Sequence, residues 1–214
     1  MATDQVDPPM ATQPTLAPAA STSGVPALSG SGRSLLLRWI IAIVGFPIGG
    51  YIGHLIGGPA ATGPAALISG LIAGAIIGAG QGVALGILRP QALALWVGAT
   101  ALGLGIALAA VTAVIGQIDT MTDAILLGAI SGLAIGTGQA AFLSREGVAN
   151  AWIWLVTLGI AWAIGWAVTA SIGVALEAGW PVFGLSGALV SQAIVGIVLW
   201  KVLAREEAPL LAAA

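Results

Sequence analysis

Three glutamines interrupt stretches that are otherwise apolar: Gln81, Gln139 and Gln192. A carboxamide carries two donors and an acceptor but no titratable proton, so it can bind and orient without acid–base work. The three precede Arg89, Arg145 and Lys201 by 8, 6 and 9 residues. At 1.5 Å per helical residue, each amide sits about 9–14 Å inside an apolar layer from its basic end. An unsatisfied amide there is costly, so each must face protein or trapped water. Two chemistries follow: an interhelical hydrogen-bond cluster that locks packing, or a polar constriction that touches a small uncharged solute.

His54 is the only histidine, with Gly50 and Tyr51 on the same helix face. Together with Asp119 and Asp123 from loops at that end, Tyr51 and His54 form a second candidate polar group, opposite the basic end. One histidine cannot make a metal site by itself, and the absence of Cys excludes thiolate sites, disulfides and a cysteine nucleophile. No cofactor or metal is expected. Nor is an enzyme: there is no His-Glu-x-x-His, no pair of intramembrane carboxylates, and no base near Ser69, Ser131 or Ser186 in sequence. The glycine-rich runs are apolar helices without a preceding strand, so they are not phosphate loops. The lack of mid-segment charge also weakens ion-coupled transport.

The elements that carry these residues follow from composition. Of 214 residues, 58% are hydrophobic and 7% charged, with a mean hydropathy of +1.06. A soluble domain carries about 25% charged residues, so this chain could not clothe a water-facing surface. Its net charge of −2 gives no footing for nucleic acid. Six apolar segments, near 35–57, 64–88, 93–115, 124–143, 151–176 and 182–200, are each long enough to cross the hydrocarbon layer, which takes about 20 helical residues. The breaks between them hold Gly, Pro and polar residues. Their continuous apolarity suits helices rather than the alternating strands of a barrel. The first 33 residues, rich in Pro, Ala, Ser and Thr, read as a disordered tail; 205–214 read as a short second tail.

All six basic residues fall on one side of a six-span topology: Arg33, Arg38, Arg89, Arg145, Lys201 and Arg205. The positive-inside bias therefore puts both termini in the cytoplasm. Trp39, Trp96, Trp152, Trp154 and Trp200 lie near that edge and read as an interfacial aromatic belt, with Trp180 near the opposite edge.

The chain also repeats. Gly70, Gly74, Gly78, Gly80 and Gln81 recur 58 positions later as Gly128, Gly132, Gly136, Gly138 and Gln139, while Arg89, Trp96 and Gly103 recur 56 positions later as Arg145, Trp152 and Gly159. With Gln192 ending a looser third copy, the units are about 34–90, 91–147 and 148–204. Each crosses twice, so all copies share one orientation: an all-α polytopic protein of three parallel two-helix repeats, with pseudo-threefold placement about the membrane normal. Small residues four apart let helices approach closely. Gly45, Gly49 and Gly53 form such a stripe in the first span, as do Gly70, Gly74 and Gly78 in the second, and Gly128, Gly132 and Gly136 in the fourth. These stripes suit contacts within the chain, with self-association or a membrane-protein partner as the alternative. Pro47 predicts a kink in the first span.

Glycine runs ending in Gln, then an aliphatic stretch and Arg, then a Trp-led helix, resemble uncharacterised bacterial multispanning inner-membrane proteins with repeated glycine-rich helix/Gln/Arg hairpins. Residues 78–89 match that pattern well, 136–145 less closely and 192–201 loosely. The resemblance implies a multi-pass protein of the bacterial inner membrane and brings no activity with it. The expected role is structural or accessory, as a subunit of a larger membrane complex; the alternative is a passive channel or carrier for a small uncharged solute along the pseudo-threefold axis.

Overall fold

In a computed structural model, residues 32–87 and 89–212 are described, with side chains at 36–87 and 89–201. The expected tail, apart from its last two positions, lies outside the described residues. Among the described residues seven α-helices follow in order: α1 (Gly32–Ile41), α2 (Gly45–Gly57), α3 (Gly63–Ala84), α4 (Pro90–Ile115), α5 (Met121–Arg145), α6 (Trp152–Ser171) and α7 (Leu185–Ala212). A 3-10 turn over Ala42–Val44 joins α1 to α2, so these two make one span, Leu36–Gly57. Five helical spans are long and apolar enough to cross a membrane, and α7 contributes a shorter apolar stretch, Leu185–Lys201. Beyond that stretch α7 stays helical to Ala212, inside the segment read as a C-terminal tail.

The break in the first span falls just before Pro47 rather than at it. Proline has no N–H to give Ile43, four residues earlier, and its ring crowds that carbonyl. The chain tightens into 3-10 geometry instead, with Gly45 donating to Ala42, and Pro47 occupies the first turn of α2, where no donor is missed. Other boundaries are set by caps. The Thr62 side chain accepts from the Ala65 amide to open α3, and Thr120 with Asp123 forms a capping box on α5. Helices α2 and α4 end on Gly58 (φ 79°) and Gly116 (φ 85°), left-handed positions that glycine alone adopts freely.

Each span packs on its neighbours in the chain, and α7 returns to pack on α1, closing a ring. One contiguous buried core fills it. Glycines line every seam. An added Cβ at Gly53 would meet the Ser69 carbonyl of α3 at 2.5 Å, at Gly74 the Ala101 Cα of α4 at 2.7 Å, and at Gly136 the Leu155 Cα of α6 at 2.9 Å. Gly103 lies equally close to Ile135, Gly187 abuts Gly165, and Gly196 meets Leu36 and Trp39. Against lipid tails no hydrophobic force draws helices together, so this backbone proximity supplies the dispersion contact that does. The outer surface is apolar over most of its height, with Leu102, Ile106, Val114 and Ile160 more than half exposed. So broad an apolar surface has no place in water.

The aromatic-belt reading needs correction. Trp152 and Trp200 are exposed, but Trp39, Trp96 and Trp154 are buried inside the ring, none more than 4% exposed. Of the two tryptophans that open α6, the buried one is Trp154, 58 positions after Trp96 and so in step with Gln81 and Gln139, whereas the 56-residue match selects Trp152. Two residues apart on a helix point to nearly opposite sides, so one tryptophan goes in and the other out.

Candidate functional site

The structure brings Gln81, Gln139 and Gln192 together, from α3, α5 and α7, each at most 2% exposed. Each glutamine lies on the buried side of its helix, one turn past Ile77, Ile135 or Ala188, all at most 1% exposed. The Gln139 Nε2 donates to the Gln81 Oε1 at 3.4 Å, and the Gln81 Nε2 to the Gln192 Oε1 at 3.3 Å. The Gln192 Nε2 donates in turn to the Trp39 carbonyl at 3.3 Å. The shorter bonds gather on Gln139, whose Nε2 also donates to Thr100 Oγ1 at 2.8 Å and whose Oε1 accepts from Trp154 Nε1 at 2.8 Å. Thr100 passes its own proton to the Trp96 carbonyl at 2.9 Å, and Trp39 Nε1 donates to the Gln192 carbonyl at 3.1 Å. The result is a directed run of hydrogen bonds from Trp154 through three amides to the backbone of α1.

The indoles brace one another around it. Trp154 meets Trp39 edge-on at 5.8 Å and Trp96 at 6.0 Å, and Trp96 meets Phe142 edge-on at 5.7 Å. Of the three, only Trp96 has an Nε1 that is buried without a partner. The cluster holds no ionisable group, so its chemistry is hydrogen bonding alone. Toward the opposite end Phe46, Leu104, Leu108 and Trp162 fill the interior, all at most 1% exposed, with Ser69, Ser131 and Thr169 buried among the helices there. Tryptophan and Thr100 are the partners that sequence reading missed. The available signal was the 58-residue step from Trp96 to Trp154, equal to that from Gln81 to Gln139.

The second candidate group is not assembled. His54 stacks on Trp180 with ring centroids 4.4 Å apart, and its Nδ1 is buried without a partner. Tyr51 is 59% exposed, Asp119 is exposed, and Asp123 is committed to the α5 cap. Among the described residues, no hydrogen bond or ion pair joins His54 to either aspartate. The same residues contain no group of three or more His, Asp or Glu that could hold a metal ion. At the basic end Arg89 pairs with Glu146 at 2.6 Å, bridging the α3–α4 and α5–α6 connections. The glycines named as packing positions lie in the seams between helices of the same chain.

No protein-family model, curated protein or solved structure matches the chain.

Proposed function

We propose that the chain is a non-enzymatic structural or accessory protein of the bacterial inner membrane, built as three like-oriented hairpins around a pseudo-threefold axis with both termini in the cytoplasm. The observation that carries this reading is how the glutamine amides are used: on each other, on Trp154 and Thr100, and on the α1 backbone. Amides satisfied in this way act as a lock, with little left to offer a passing solute. The apolar packing of Phe46, Leu104, Leu108 and Trp162 beyond them supports the same conclusion. Orientation rests on the basic residues gathering at one end, and the inner-membrane assignment on the sequence resemblance.

The test reconstitutes the protein in liposomes and follows osmotic shrinkage with urea and glycerol, beside Gln81→Leu, Gln139→Leu and Gln192→Leu combined. Wild-type liposomes should shrink at the rate of empty ones, while the triple variant should lose stability. Solute flux above the empty-liposome rate that the triple variant abolishes would replace this reading with the channel.

A further inference from the structure

A cavity of about 380 Å³ lies beside α2 near the His54 end of the bundle, lined by Phe46, Gly50, Trp166, Val174, Phe183 and Gly184 among others. Its origin is visible in the packing. Helix α7 packs closely on α1 but only sparsely on α2, and it begins only at Leu185, so the seam with the first span stays open at this end. The connection 172–184 folds over the gap, supplying Val174, Phe183 and Gly184 to its lining. Thr169 Oγ1 accepts from the Gly184 amide at 3.1 Å and pins the connection to α6. Phe46 and Phe183 stack at 5.2 Å, and Trp166 meets Phe183 edge-on at 6.0 Å, so the wall is rigid and aromatic. The mouth is flanked by Tyr51 and Leu185, each 59% exposed on the apolar outer surface.

We infer that this cavity is a binding site for a single hydrocarbon chain of a membrane lipid, entering sideways between α2 and α7. Shape selects the occupant. A helix is about 10–12 Å across and rises 5.4 Å per turn, so even one turn fills roughly 420–610 Å³. Neither a partner helix nor a second copy of this chain fits. The volume lies within the roughly 300–1,000 Å³ range of small-molecule sites, and the lining is almost wholly apolar. Tyr51, exposed at the mouth, and Trp180, also in the lining, are amphipathic residue types that favour the level where a chain meets its headgroup. The site rests on the membrane reading but not on the structural role proposed above.

The test places the full chain in nanodiscs of phosphatidylethanolamine and phosphatidylglycerol containing a phospholipid with a diazirine near the end of one acyl chain. A parallel arm uses diazirine-labelled free palmitate, so that phospholipid and free fatty acid are told apart. After photolysis, adducts should concentrate on residues 46–51 and 174–185 in at least one arm. Gly184 lines the cavity, and an added Cβ there meets nothing closer than the Thr169 and Val174 side chains at 3.8 Å, so Gly184→Phe adds bulk at the cavity wall with no clash at its Cβ. It should lower those adducts about tenfold, the change produced by excluding about two methylenes from an apolar site, while labelling at Leu102 and Ile106 stays constant. Val174→Phe supplies the same readout if Gly184→Phe fails to fold. Labelling spread evenly over the lipid-facing surface, or unchanged in the folded filling variant, overturns the site. Release of the protein from membranes by alkaline carbonate would instead overturn the membrane reading beneath it.

Discussion

Replacing Gln139 by Leu tests whether the glutamine cluster is a lock and which of its members carries the load. The substitution removes three hydrogen bonds, two of them at 2.8 Å, and leaves the Trp154 indole N–H buried without an acceptor. Interhelical hydrogen bonds in membrane proteins average about 0.6 kcal/mol and reach about 1.7, so the loss is about 2 kcal/mol, with an upper bound near 5. Gln81→Leu and Gln192→Leu each remove two longer side-chain bonds, at 3.3–3.4 Å. In the first of these Gln139 still holds Thr100, and in the second Trp39 still donates to the α7 backbone. Each should therefore cost about 1 kcal/mol. Unfolding by sodium dodecyl sulfate in mixed micelles, followed by circular dichroism, reads the order directly. A cycle with Trp154→Phe should return a coupling of about 0.6–1.7 kcal/mol with Gln139. The reasoning fails if all three glutamine variants agree within about 0.3–0.5 kcal/mol, the ordinary scatter of additivity, or if the coupling vanishes.

The same unfolding assay reads four further predictions. Gly74→Val puts a Cβ 2.7 Å from Ala101 Cα and from the Thr100 carbonyl, so α3 and α4 must separate at a cost of about 1–3 kcal/mol. Gly98→Ala meets nothing within 4 Å in the middle of α4 and should stabilise by about 0.4–1 kcal/mol. Trp154→Phe should cost about 1 kcal/mol more than Trp96→Phe, because both remove a packed indole but only Trp154 uses its N–H. Glu146→Gln should change stability by only about 0.2–1 kcal/mol, since Arg89 is 55% exposed. That difference should disappear in 1 M salt, where the Debye length is about 3 Å.

Much of the architecture could be read from the chain because bilayer-length apolar runs leave few alternatives. With about 20 residues per crossing, the segments separate at Gly–Pro and polar breaks. The glycine periods pointed to close helix approach, and each named glycine lies in a seam with a specific neighbour. Trp154 was harder to read. A pattern of identical letters chose Trp152, whereas burial depends on angular position, and a two-residue offset reverses that. The first span shows a related limit. Pro47 marks where a regular ladder cannot run, but the strain is taken up by the preceding turn, over Ala42–Val44. The His54 group failed for a different reason. Asp123 had a local use, capping α5, and a short-range partner competes well against a distant one. The cavity beside α2 was not legible, because it arises from where α7 begins and how far it diverges from α2.

The glycines and the glutamines perform different tasks, and the difference explains why polar groups persist in so apolar an interior. A stripe with a four-residue period is nearly self-similar. Sliding α5 by one turn along α6 would set Gly128 or Gly132 where Gly132 or Gly136 now lies, against the same run of Leu155, Leu158 and Trp162 backbone. Glycine packing therefore fixes how close the helices come but discriminates poorly among registers one turn apart. Gln139 has no such freedom. A shift of 5.4 Å breaks its bonds to Thr100 and Trp154 together and strands both the amide and the indole N–H in apolar surroundings. A few kcal/mol against each wrong register is enough to select one by a hundredfold or more. The glutamines thus contribute register specificity that close packing lacks, as a single buried polar residue does in a coiled coil.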